Sequence, residues 1–151
     1  MMRLGVLSDT HGLLRDSVLE RLAGCDHLLH AGDVGDPAIL ERLAEIAPVD
    51  TVRGNVDIEP PLSTLPPVAE GMIEQIRWKM VHRRDDVPPA WTRDAQLVVF
   101  GHSHRPELSW HGGCLMLNPG ACGKRRFTLP LTLAVLTIDG NRITPELFAV
   151  A

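Results

Sequence analysis

Gln96-Leu97-Val98-Val99-Phe100-Gly101-His102-Ser103-His104 decides how the rest of the chain is read. Leu97 to Phe100 is apolar enough for a buried strand, and two histidines one residue apart follow it on a loop. Imidazole is the commonest metal-binding side chain. The i, i+2 spacing lets two rings reach two neighbouring ions, or one ion from two sides. Taken alone, a loop histidine pair without a metal is an equal reading. Other strand ends decide between the two.

Four further strand-like runs stop at Asp, Asn or His, three of them beside glycine. Arg3 to Ser8 ends in Asp9-Thr10-His11-Gly12, and Leu28 to Ala31 in Gly32-Asp33-Val34-Gly35-Asp36. Val49 to Arg53 ends in Gly54-Asn55-Val56-Asp57, and Trp78 to Val81 in His82. Open α/β sheets bind ligands beyond the carboxyl ends of their strands. Five such endings on one edge would converge on one site.

Between these endings the chain alternates early and then changes character. Leu13, Leu14, Val18, Leu19, Leu22 and Ala23 repeat at helical spacing and Gly24 stops them. Asp36-Pro37 reads as an N-cap followed by proline at the first helical position. Ile39, Leu40, Leu43, Ala44, Ile46 and Ala47 then form a second apolar stripe, ended by Pro48. This βαβαβ start predicts parallel strands with right-handed crossovers. After the proline-rich stretch from Ile58 to Pro67, strands are expected at Met72–Ile76, Arg77–Val81 and Leu97–Phe100. A hairpin is expected about Gly112-Gly113, and another about Asp139-Gly140-Asn141. Two packed sheets with helices outside, in one domain over residues 1–151, is the expected organisation.

The chain has 151 residues and a formal charge of −4, with a pI near 5.9. That balance argues against a broad basic nucleic-acid-binding face. No run reaches the ~18 apolar residues of a membrane helix, and Ser8 and Asp9 interrupt any leader-like apolar stretch. Cys25, Cys114 and Cys122 are an odd set without a C-x-x-C pair, as expected of free thiols in a reducing cytoplasm.

Asp9, His11, Asp33, Asn55, His82, His102 and His104 offer carboxylate, carboxamide and imidazole groups. The mixture suits borderline divalent ions, with manganese first and nickel, iron or zinc as alternatives. Its lack of cysteine argues against a closed structural zinc site. Seven ligands exceed what one first-row ion takes and suit two, with a carboxylate such as Asp33 well fitted to bridge. Two ions ~3.5–4 Å apart can hold a hydroxide and clamp both oxygens of an in-line displacement at phosphorus.

In order and spacing, Asp9-Thr10-His11, Gly32-Asp33-Val34-Gly35-Asp36, Gly54-Asn55-Val56-Asp57, His82 and Gly101-His102-Ser103-His104 resemble the motifs of the calcineurin-like metallophosphoesterases. Asn118-Pro119-Gly120-Ala121 is similar to a turn of their small prokaryotic branch. The resemblance implies a four-layer α/β/β/α sandwich of two mixed β-sheets flanked by helices. It also implies one ion on Asp9, His11 and His104, another on Asn55, His82 and His102, and Asp33 bridging. Asp36 and Asp57 match positions that orient ligands.

The implied activity is that of a dinuclear phosphodiesterase acting on a small phosphate ester, in the cytoplasm. A phosphomonoesterase for nucleotides or small metabolites, and a non-catalytic protein-binding scaffold of the same fold, are the alternatives; a homo-oligomer stays open. Two positions depart from the family pattern. Val56 stands where many members carry a histidine that protonates the leaving group. Arg83 follows His82 where small members usually have glycine, and either perturbs the ligand geometry or binds substrate phosphate. His30 reads as a core, surface or ligand-supporting histidine, and Arg125-Arg126 as a phosphate contact or a solvated pair.

Overall fold

The computed structural model describes residues 1–151. In the first strand, β1 (Met2–Leu7), Leu4 and Val6 point to one side of a sheet while Gly5 faces Leu22 and Leu28 on the other. A Cβ on Gly5 would come within 2.6 Å of Leu22, so its absence lets a helix lie close. That helix is α1 (Asp16–Leu22), followed by β2 (His27–His30), α2 (Pro37–Ala44) and β3 (Val49–Thr51). The second half supplies β4 (Val68–Ile73), β5 (Ile76–Arg83), α3 (Trp91–Asp94), β6 (Leu97–Gly101), β7 (Glu107–His111), β8 (Cys114–Asn118), β9 (Thr132–Asp139) and β10 (Arg142–Ala149).

Two five-stranded sheets result, in the orders β10-β9-β1-β2-β3 and β4-β5-β6-β8-β7. β1, β2 and β3 are parallel, as are β5, β6 and β8; β9 and β10 in the first sheet and β4 and β7 in the second pair antiparallel with their neighbours. Leu97, Val99, Leu115 and Leu117 meet Leu4, Val6 and Leu29 between the sheets. On the outer face of the first sheet, Val18, Leu22, Ile39 and Leu43 of the helices pack on Leu7, Leu28 and Leu133. Val98, Phe100, Cys114 and Met116 are covered on the second sheet's outer face by Ala95 and Trp91. The layers are therefore α/β/β/α, as the resemblance implied.

Some boundaries differ from the sequence reading. α1 starts at Asp16 and not near Leu13, because Leu13 N–H bonds back to Thr10 and closes a turn first. The second sheet's hairpin turns at Glu74-Gln75, so β4 begins earlier than expected and Ile73 and Ile76 both reach the core. His82 lies within β5 and not beyond it. Pairing with β6 slips between Met80 and Arg83, a bulge that re-aims the intervening side chains.

Candidate metal centre

The carboxyl ends of the parallel strands carry Asp9, His11, Asp33, Asn55, His82, His102 and His104. Beyond β1 and β2 the loops continue to pair through their backbones: Asp9 N–H to Gly32 O (3.0 Å), His11 N–H to Asp33 O (2.9 Å) and Gly12 N–H to Val34 O (2.9 Å). Asp57 fastens the third loop to the second. Its buried carboxylate accepts from the backbone N–H groups of Gly54 (2.8 Å), Asp33 (3.0 Å), Gly35 (3.1 Å) and Val34 (3.3 Å). From the other sheet, His102 N–H donates to Asp9 Oδ2 at 3.1 Å. Asn118 donates to Gly101 O (3.2 Å) and Ser103 Oγ (3.1 Å), holding the histidine loop from beside it.

Each central carboxylate spends one oxygen on the protein and turns the other towards imidazoles. Asp9 Oδ2 accepts from Ser8 Oγ (2.6 Å) and His102 N–H, while Oδ1 lies 3.3 Å from His104 Nε2 and 3.5 Å from His11 Nε2. Asp33 Oδ1 accepts from Val56 N–H at 2.9 Å; its Oδ2 lies 3.1 Å from His82 Nε2 and 3.5 Å from His11 Nε2. Two groups form, Asp9-His11-His104 and Asp33-His82-His102, with each group's ligand atoms within 4.8 Å of one another. Asp33 Oδ2 faces a histidine of each group.

Four buried atoms here make no hydrogen bond: Asp9 Oδ1, His82 Nε2, His102 Nδ1 and His104 Nδ1. Buried polar atoms normally find partners, and a borderline divalent cation is the partner this donor set suits. His82 shows why. Its Nδ1 donates to Ala31 O at 2.7 Å, so Nε2 turns a lone pair towards the Asp33 carboxylate unless a proton or a cation lies between. In the metal-free chain burial opposes protonation of His82, but Asp33 and the Ala31 carbonyl outweigh it and raise the pKa. Burial likewise works against ionised Asp9, and the neighbouring His104 and His11 imidazoles with the Ser8 hydroxyl hold it well below the usual carboxylate range. Asp33 is lowered in the same way by His82 and Val56 N–H. His102 is lowered, by burial first and then by His82 and Arg83.

The remaining expected residues divide. Asn55 is exposed on the third loop and lines a cleft of about 500 Å³ with His82, Arg53 and Arg83. Arg83 is exposed beside His82 and His102 and lines two clefts. His82 beside it groups with Asp33 and His102. Asp36 requires a correction: it is exposed and its carboxylate accepts from Ala38 N–H at 2.9 Å, so it caps α2 instead of orienting a ligand.

Sequence reasoning passed over two supports, Ser8 and Thr10, and left the role of His30 open. Ser8 and Thr10 flank Asp9, and Thr10 Oγ1 bonds the Val34 carbonyl (2.8 Å) and His30 Nε2 (3.1 Å). His30 is fully buried and its Nδ1 accepts from Gly32 N–H. Hydroxyl residues on both sides of a strand-end aspartate were the available signal.

A family model described as the calcineurin-like phosphoesterase superfamily domain matches residues 2–141. The chain belongs to that superfamily. A protein of Methanothermobacter thermautotrophicus named "Probable metallophosphoesterase" is 32% identical over 158 residues, covering 97% of this chain and 91% of its own length. Phosphodiesterase YfcE of Escherichia coli strain K12 is 30% identical over 166 residues, covering 92% and 89%. Among solved structures, wild-type Vps29 of Entamoeba histolytica complexed with zinc superposes with a TM-score of 0.76. At 20% identity, covering 99% of this chain and 100% of that one, it supports the fold alone.

Proposed function

We propose that this single domain is a dinuclear metal-dependent phosphodiesterase. The observation that carries the reading is Asp33, whose Oδ2 faces His82 of one ligand group at 3.1 Å and His11 of the other at 3.5 Å. Asp9, His11 and His104 would hold one divalent ion. His82 and His102, joined by Asn55, would hold the second, with Asp33 shared. Bound there, two ions would activate water as the nucleophile and neutralise charge developing on the phosphate oxygens.

The protein's own part is positioning. Three interlocked loops fix the carboxylates, and Ala31 O fixes the His82 tautomer. Clefts open on both sides of the centre, one walled by His82 and Arg83 and one by His11 and His104. Room on both sides of the phosphorus favours a diester over a monoester. Arg83 contributes a cation at the mouth for the substrate's charge. Val56, 45% exposed in the His11 cleft, has no proton to give a departing oxygen. Acidic leaving groups such as phenols should therefore be favoured.

Manganese-reconstituted protein should bind about two ions per chain and hydrolyse bis(p-nitrophenyl) phosphate faster than p-nitrophenyl phosphate. Faster monoester turnover would make it a monoesterase. Two bound ions with no turnover of either ester would favour the reading of a non-catalytic scaffold.

A further inference from the structure

The segment Lys124-Arg125-Arg126 takes no part in the centre described above, yet it walls the cleft that holds His11 and His104. That cleft, about 460 Å³, is lined by His11, Gly35, Val56, His104 and these three cations. No carboxylate lines it, on a chain whose formal charge is −4. None of the three cations forms a salt bridge. Arg125 is committed to the loop itself, donating to the carbonyls of Leu129 (3.1 Å) and Ala151 (3.5 Å). Lys124 and Arg126 are exposed and make no hydrogen bond through their side chains.

The base of this segment is tied to the metal loop. Gly123 is buried against the backbone of Thr10, between Asp9 and His11; a Cβ there would stand 1.9 Å from the Thr10 carbonyl oxygen. Arg15 Nε donates to Gly123 O at 3.0 Å, and Cys122 N–H to Ser8 O at 3.3 Å. The next residue outward is Lys124. The cations thus emerge from a fixed point beside the ligands, not from a wandering loop. Unpaired cations close together repel one another, and an anion between them relieves that repulsion. Arginine's planar fork suits phosphate oxygens in particular.

We propose that Lys124 and Arg126 form a subsite for a second phosphate group on one arm of the diester. The substrate class is then a phosphodiester carrying a further phosphate, as at the end of a short oligonucleotide or on a phosphorylated nucleotide conjugate. This rests on the phosphodiesterase reading above.

The test compares dithymidine phosphate with and without a terminal phosphate, using manganese-loaded protein. Wild type should favour the terminally phosphorylated form in kcat/KM by roughly tenfold or more. In Lys124→Ala/Arg126→Ala the ratio should fall towards one, and Lys124→Arg/Arg126→Lys should keep most of it. A wild-type ratio near one, or a ratio that survives the alanine pair, overturns the subsite. Binding of thymidine bisphosphate to the metal-free chain is the second measurement, since it needs no turnover. There the alanine pair should weaken affinity roughly tenfold or more, and equal affinities overturn the proposal. If neither dinucleotide is cleaved while bis(p-nitrophenyl) phosphate is, the phosphodiesterase reading stands, because a sugar alkoxide is a poor leaving group without a proton donor, and this binding comparison alone decides the subsite. If no diester is cleaved, that reading fails and the binding comparison again decides the subsite.

Discussion

Asp9, His11, Asp33, His102 and His104 all hold left-handed backbone, with φ between 47° and 71°. Such conformations cost about 1–3 kcal/mol each for residues other than glycine. The interlocked loops hold them there, and the strain collects where cations would bind. His30, three residues before Asp33, is placed differently. Burial pushes its pKa down to about 4, against the attraction of Asp9, Asp57 and Asp33. Its bonding is complete as a neutral ring: Gly32 N–H donates to Nδ1, and Nε2–H is left to donate to Thr10.

The pH consequence follows from the direction of that shift. Between its unfolded value near 6.5 and its folded value near 4, only the unfolded chain takes up this proton. Its stabilising contribution is present in full above pH 6.5 and is lost as pH falls towards 4, by roughly 3 kcal/mol at most. Urea midpoints of the metal-free chain should therefore fall through this window, and His30→Gln should flatten the fall. An unchanged slope would mean that the folded chain charges the ring. Nothing in the neighbourhood Leu29-His30-Ala31 distinguishes such a histidine from a surface one; its burial comes from Thr10, twenty residues earlier.

At the scale of elements, the loops after β1, β2 and β3 act as one unit because Asp57 bonds four backbone N–H groups across two of them. Asp57→Asn would put an amide donor against those donors. The expected loss is about 3 kcal/mol, with metal affinity weakened ~10–100-fold. Asp36→Asn should stay within about 0.5 kcal/mol, since asparagine caps a helix as well as aspartate does. Urea unfolding and metal titration of the two variants check this; equal losses would show that Asp57 does not clamp the loops. Strand endings were legible because each pairs an apolar run with Asp, Asn or His, most beside glycine, in a short window. So was the capping of α2 by Asp36, from the proline that follows it. The clamp made by Asp57 was not, because only the crossing of the third loop over the second reveals it. The bulge that aims His82 depends on β5–β6 register, which no local pattern records.

For the whole molecule, each ligand group draws on both sheets: Asp9 and His11 with His104, and Asp33 with His82 and His102. Bound ions would therefore fasten the sandwich along one rim. At a hundredfold excess over Kd a ligand that binds only the folded chain adds about 2.7 kcal/mol. Because ligands so far apart in sequence assemble last, most of this should appear as slower unfolding, roughly a hundredfold, with little change in refolding. Folding and unfolding rates measured with manganese and with chelator test it. A refolding rate that rises in step with stability would place the centre in the folding nucleus.

β1 also sits in the middle of its sheet, flanked by β2 on one side and β9 on the other. A growing chain can pair the first edge within its first thirty residues, by His30. The second must wait for Thr132–Asp139. For most of synthesis on the ribosome, the strand leading to Asp9 thus presents an open edge of buried-type residues, the kind of surface that recruits wrong partners.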